Sequence, residues 1–288
     1  MDQDSFRFLR PWHQLLPPAG RAVVGVAGSG ACTTVLLRLV ELYRQRGART
    51  LVTHTVARPV PFTLRDVRCA PTPDAIESTL DEHGIAYAAG GGDDLADPID
   101  VEILADVTSC DVMLVESGTP SGGRLCTVAD SPVWPRRMQL AVTVGNLGLV
   151  GRPWGPRAVA GVDDDVIVDG EVRRVSTDDV VEAMRRTIAT VPGSARALPF
   201  FAGFGAYRDL DGMFSAVEAV LDPPERPVLC FAELLGDARR DAADRRGMEQ
   251  ALGDEWLDDE RVYAVYPAAL DGPDEGREDE SPGASGVN

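Results

Sequence analysis

Residues 23–34 read VVGVAGSGACTT, an apolar run that passes into Gly28, Ser29 and Gly30 and ends on Thr33 and Thr34. Glycines between a strand and a helix let backbone N–H groups approach a phosphate closely, and the positive end of the helix dipole falls at the same place. Thr33 or Thr34 could supply the hydroxyl that such loops give to magnesium. A loop of the GxxxxGK[ST] kind sets a lysine before that hydroxyl, whereas here Cys32 precedes the threonine pair and Ala31 precedes Cys32. Two readings stand: a phosphate loop that has lost its ammonium, or a plain strand-to-helix turn whose glycines serve packing. A dinucleotide fingerprint fits poorly, because G-x-G-x-x-G wants glycine where Thr33 stands and an acid at the end of the next strand, where the chain reads VTHT.

The second group able to do chemistry is Glu116, which ends DVMLVE (111–116). A carboxylate at the tip of an apolar strand, in the same sheet as a glycine loop, is where magnesium or its water shell is held in phosphate-binding folds, so Thr33 and Glu116 form a candidate metal pair. The bland alternative is a solvated strand-end acid. His54, near the end of RTLVTHT, could face the same edge, although a packed or hydrogen-bonded strand histidine is the commoner role. His13 and His83 read as surface residues, and no Ser-His-Asp or Cys-His constellation can be assigned from spacing.

These groups need a sheet to bring them together. AVVGVA (22–27) suits a buried strand, TTVLLRLVELYRQRG (33–47) carries Val35, Leu36, Leu39, Val40 and Tyr43 at helical spacing and stops at Gly47, and RTLVTHT (49–55) is a second strand. That βαβ order aims the glycine loop at the carboxyl edge of a parallel sheet. PDAIESTLDEHG (73–84) and PIDVEILADVTSC (98–110) read as helices with a flexible GGGDD between them. DVMLVE and QLAVTVG (139–145) read as further buried strands. DVIVDGEVRRV (165–175) has Asp-Gly between apolar runs, a hairpin signal, and Ser176 with Asp179 marks a helix start before VVEAMRRTIATV. RPVLCFAEL (226–234) and RVYAVYP (261–267) look like later strands flanking a charged helix near 238–252. The fold class expected is α/β, a three-layer P-loop NTPase-like domain with a mostly parallel sheet. The chain divides into an N-terminal extension (1–20), a single domain (21–270) and an acidic tail (271–288) too poor in apolar residues to pack.

In this order and spacing, GSGACTT, LVTHT, DVMLVESG, RLCTVADSPVWP and TVGNLGLVGRP resemble the YqeC family, accessory proteins of selenium-dependent molybdenum hydroxylases. The resemblance covers roughly residues 20–155. It implies a nucleotide site at Gly28, Ser29, Gly30, Ala31, Cys32, Thr33 and Thr34, with ATP or GTP and magnesium as ligands. It also implies a client among molybdenum or selenium enzymes under maturation. The departures fall on the charged positions. The family's loop lysine lands on Cys32 and its neighbouring glycine on Ala31, the aspartate of its VEADGS element lands on Gly118, its second lysine on Cys126, and the acid of its EPVIP element on Ser131. Losing the ammonium removes charge that stabilises phosphoryl transfer, so hydrolysis should be weak or absent while an anion can still be held. Arg58, Arg124 and Arg152 could each replace it, and Arg124 is the preferred candidate. Cys32 and Cys126, standing where the family has lysines, are expected near each other without a disulfide. The alternative function is a non-catalytic interaction scaffold that keeps the fold.

Composition narrows the partners. The 28 basic residues are all arginine, against 46 acidic ones, giving a net charge of -18 and a pI near 4.5. Codon bias or salt adaptation would each produce this pattern. So acidic a chain has no electrostatic footprint for duplex DNA or an anionic membrane, which leaves a small anionic ligand bound by a local arginine as the expected partner. No run approaches the roughly 18 apolar residues of a membrane span, and MDQDSFRFLRPW lacks the apolar core of a signal peptide. A cytoplasmic protein is expected. The five cysteines show no CxxC spacing and read as reduced thiols.

Overall fold

The computed structural model describes residues 10–11, 15–92, 95–104, 107, 109–118, 124–126, 132–202, 219, 229–232 and 262–265. The expected helix near 238–252 and the expected acidic tail lie outside them. In chain order the strands are β1 (Arg10–Pro11), β2 (Ala22–Ser29), β3 (Thr50–His54), β4 (Arg58–Pro59), β5 (Arg68–Cys69), β6 (Ile85–Ala88), β7 (Gly90–Gly91), β8 (Leu95–Asp97) and β9 (Val112–Glu116). There follow β10 (Leu125–Cys126), β11 (Leu140–Asn146), β12 (Val159–Ala160), β13 (Ile167–Val168), β14 (Glu171–Val172), β15 (Arg196–Ala202), β16 (Leu229–Ala232) and β17 (Val262–Val265). The α-helices are α1 (Cys32–Gln45), α2 (Pro73–His83) and α3 (Thr177–Ala189).

Ten strands form one sheet in the order β1-β17-β16-β15-β11-β2-β9-β3-β6-β5, and every pairing in it is parallel. Parallel strands are covered on both faces and read as unbroken apolar runs, which is why AVVGVA, LVTH, VMLVE and LAVTVG were all recognisable. Helix α1 packs Val35, Leu36, Leu39, Val40 and Tyr43 onto one face, in a core with Val24, Val26, Leu114, Val142 and Val144. On the other face, Ile76 and Leu80 of α2 join Leu51, Ala86, Met113 and Val115, and Met184 of α3 lies against Gly145. The fold is thus a three-layer α/β sandwich around a parallel sheet. The crossover from β2 through α1 to β3 skips one place, and β9 fills it, so that Val26, Glu116 and His54 stand side by side in register.

Several expectations need correcting. The segment 98–110 is not one α-helix: its described residues hold a 3₁₀ turn, Val101–Leu104. Val101, Leu104, Val107 and Cys110 are buried at a spacing of three, and Ile103 and Val107 donate to Asp100 and Leu104, a period matching the 3₁₀ turn at Val101–Leu104. The glycine run after Ala89 is partly strand, since Gly90 and Gly91 pair with Asp97 and Ala96, and the Arg68 guanidinium donates to the carbonyls of Gly90, Gly91 and Gly92. Strands β6 and β15 were not read from the sequence. The Asp-Gly hairpin and the Ser176–Asp179 capping box are present as expected. Among the described residues no helix is long and apolar enough to cross a membrane.

Candidate functional site

The turn after β2 is shorter than a phosphate loop. β2 stays paired with β11 as far as Ser29 opposite Gly145, and α1 begins at Cys32, leaving only Gly30 and Ala31 between them. Gly28 has φ +141, and a Cβ there would lie 2.1 Å from the Val144 carbonyl oxygen. Its glycine is therefore required by the approach of β11, whatever the loop binds. Gly30 has φ 75. Ala31 sits in the left-handed region at φ 54, ψ 2, where a Cβ costs about 1–2 kcal/mol. This is the position at which the resembling family has glycine.

The first N–H groups of any helix lack an intrahelical acceptor, and α1 starts without a side-chain cap and without an acid in its first turn. Cys32, the first helical residue, is buried and its Sγ donates to the Gly30 carbonyl at 3.5 Å. Burial pushes its pKa up to about 12, against the attraction of Arg58, so it is a neutral thiol and a poor nucleophile. Thr33 Oγ1 donates to Glu116 Oε1 at 3.2 Å and accepts from Arg58 Nη2 at 3.2 Å. Arg58 Nη1 is ion-paired with Glu116 Oε2. Glu116 is 3% exposed, and burial lowers the Arg58 pKa from its usual value without depriving a guanidinium of its proton. Thr34 is exposed.

His54 is 1% exposed. Its Nε2 lies 2.9 Å from the Asp97 carbonyl oxygen and its Nδ1 3.1 Å from the Tyr87 hydroxyl. A carbonyl only accepts, so Nε2 carries the proton and Nδ1 accepts from tyrosine. Burial first, then Arg58, lowers its pKa to about 4. His54 is a neutral strut between strands, with both nitrogens occupied.

Of the residues singled out from sequence, the structure brings Cys32, Thr33, Glu116 and Arg58 together at the carboxyl edge. Arg124 Nη1 donates to the Pro156 carbonyl at 3.2 Å. Arg152 lines a separate cleft of about 560 Å³ with Arg157 and Asp163 to Asp165. The arginine that contacts the first turn of α1 is Arg58. Its sequence signal was its place just past the second strand, where Arg58–Pro59 pairs with β8 and is held over the sheet edge. Cys126 N–H donates to Ser29 Oγ at 3.3 Å, which sets β10 beside the residue that ends β2, and neither Cys126 nor Cys32 is in a disulfide.

Thr33 and Glu116 do not fit a magnesium ion as they stand, because the guanidinium holds both. Among the described residues there is no group of three or more His, Cys, Asp or Glu side chains that could hold a metal.

No protein-family model matches the chain, and no curated protein matches it significantly. Solved structures similar to it include FtsY from Mycoplasma mycoides, at 11% identity and TM-score 0.33, covering 86% of this chain and 60% of that one. The 54 kDa signal recognition particle protein from Aeropyrum pernix in complex with GDP is similar at 12% identity and TM-score 0.34, covering 88% of this chain and 44% of that one. FtsY from Elizabethkingia anophelis in complex with GDP gives 10% identity and TM-score 0.31, covering 87% and 57%. The chain spans about half the length of these structures, and its fold rests on the strand order described above, not on likenesses of this size.

Proposed function

We propose that the chain binds a phosphate-bearing ligand, ATP or GTP being the candidates, at the carboxyl edge of the sheet against the first turn of α1, and hydrolyses it weakly or not at all. The observation that carries this reading is the combination at that helix start: no cap, no acid in the first turn, and a guanidinium hydrogen-bonded to the first-turn threonine. The helix dipole at an uncapped start, and the donors of a guanidinium whose charge Glu116 balances, favour an anion there. Hydrolysis lacks support, because the residue in the lysine position is a buried thiol and the carboxylate is neutralised by its own arginine. The series of motifs from residue 20 to 155 supports placing this activity in a YqeC-like accessory role during maturation of selenium-dependent molybdenum hydroxylases.

The second reading, an interaction scaffold, is favoured by one feature: a two-residue turn encloses less than a wide phosphate loop does. A thermal-shift titration with ATP and GTP separates the two, since ligand at about 100 times its dissociation constant stabilises by roughly 2.7 kcal/mol. A shift supports the nucleotide reading, and no shift with either nucleotide supports the scaffold. Phosphate release from ATP or GTP should stay at background, and robust turnover that Glu116→Ala abolishes would contradict the first reading.

A further inference from the structure

The position where a first-turn hydroxyl and a strand-end carboxylate converge is already filled by a side chain of the protein itself. Arg58 Nη1 pairs with Glu116 Oε2, Arg58 Nη2 donates to Thr33 Oγ1 at 3.2 Å, and Thr33 Oγ1 donates to Glu116 Oε1 at 3.2 Å. This closed ring engages both carboxylate oxygens and the hydroxyl. From it we infer that this is a guanidinium site that excludes divalent metal, and that the chain takes its phosphate-bearing ligand as the free anion, with Arg58 standing where a metal would. The choice of ligand form rests on the function proposed above; the exclusion of metal stands on the ring alone.

Three physical points support it. Magnesium demands about six oxygens near 2.1 Å, and to reach the Thr33 and Glu116 oxygens it would have to displace the arginine. The Arg58 side chain is 15% exposed and that of Glu116 4%, so the pair lies where separating it leaves an uncompensated buried charge, a change that costs far more than breaking a surface ion pair. The arginine is also held in place from behind: Arg58 and Pro59 pair with Ala96 and Leu95 of β8, and Pro59 fixes its own φ. A guanidinium so placed, its charge balanced by Glu116, still has N–H donors beyond the two in the ring that suit phosphate oxygens.

The test has a metal arm and a ligand arm. In the metal arm, Mn²⁺ binding is followed by loss of the free-ion paramagnetic resonance signal, in salt high enough to suppress the acidic surface, for the wild-type chain, Glu116→Gln, Arg58→Ala, and Arg58→Ala combined with Glu116→Gln. Wild type and Glu116→Gln should bind equally, Arg58→Ala should gain one site per chain, and the double variant should lose it. A wild-type site that Glu116→Gln removes overturns the inference, as does a folded Arg58→Ala variant that gains no site. Should Arg58→Ala not fold, the comparison of wild type with Glu116→Gln decides alone.

In the ligand arm, calorimetry with pyrophosphate is run in EDTA and in excess magnesium. Binding should be at least as tight in EDTA, and about tenfold weaker in Arg58→Lys, which keeps the charge and loses the fork. Binding seen only with magnesium overturns the inference. Binding in neither condition counts against the proposed ligand while the metal arm still decides whether the site excludes metal.

Discussion

At the scale of single residues, the site is defined by two side chains standing where a phosphate loop would have others. Ala31 holds a glycine's conformation at φ 54. Replacing it with glycine should relieve left-handed strain of about 1–2 kcal/mol and return part of that as unfolded-chain entropy, for a net gain of about 0.5–1 kcal/mol in urea unfolding. A loss of stability would mean that the alanine methyl packs for more than its backbone costs. Cys32 has the opposite character: its thiol lies in the core shared by α1 and the sheet. With its pKa raised from 9.0 to about 12 by burial, the neutral thiol is favoured in the folded state. Its contribution is therefore fully present below pH 9 and is lost as the pH rises towards 12. Mass spectrometry after iodoacetamide at neutral pH should find Cys32 unmodified in the native protein and modified in denaturant. Native-state alkylation as fast as that of a free thiol would place the sulfur outside the core.

At the scale of elements, His54 is a joint between three strands. It ends β3, accepts from Tyr87 of β6 and donates to the carbonyl of Asp97 in β8. Its pKa falls from 6.5 to about 4, so the folded state prefers the neutral ring. That stability is complete above pH 6.5 and disappears as the pH falls to 4, a change on the order of 3 kcal/mol. His54→Gln, which can keep one of the two hydrogen bonds, should be less stable at pH 7 and show a flatter loss of stability between pH 6.5 and 4; an unchanged acid limb would mean that the ring is hydrated. The same elements show what the sequence could disclose. Strands buried on both faces and the amphipathic α1 were legible because their periods are strong. β6, only Ile85–Ala88, is too short to stand out, and the three-residue period of 101–110 imitates a helix over so brief a span. Gly28 looked like a phosphate glycine and is equally a packing glycine, because only the pairing with β11 reveals the Val144 backbone lying against it. Arg58 was visible as one of three arginines; choosing it required the β4–β8 pairing, which joins segments that local pattern cannot connect.

At the scale of the whole molecule, a net charge of -18 makes the folded state self-repelling, because folding brings carboxylates closer together than they are in the open chain. Its visible ion pairs oppose this only weakly: Arg38–Glu41, Arg49–Asp81, Arg173–Asp179 and Arg186–Glu182 each leave at least one side chain well exposed, and exposed pairs contribute about 0–1 kcal/mol. Salt screens both effects, the Debye length falling from about 10 Å at 0.1 M to about 3 Å at 1 M. Long-range repulsion summed over many carboxylates loses more from this than four short contacts do. The Arg58–Glu116 pair is buried and should hardly respond. The melting temperature should therefore rise with NaCl across that range by a few degrees, equivalent to about 1–2 kcal/mol at roughly 2–4 °C per kcal/mol. A fall with salt would show that the surface pairs outweigh the net repulsion. A chain that is folded only near molar salt would instead show that the lysine-free, carboxylate-rich composition is a solvation adaptation and not a matter of codon usage.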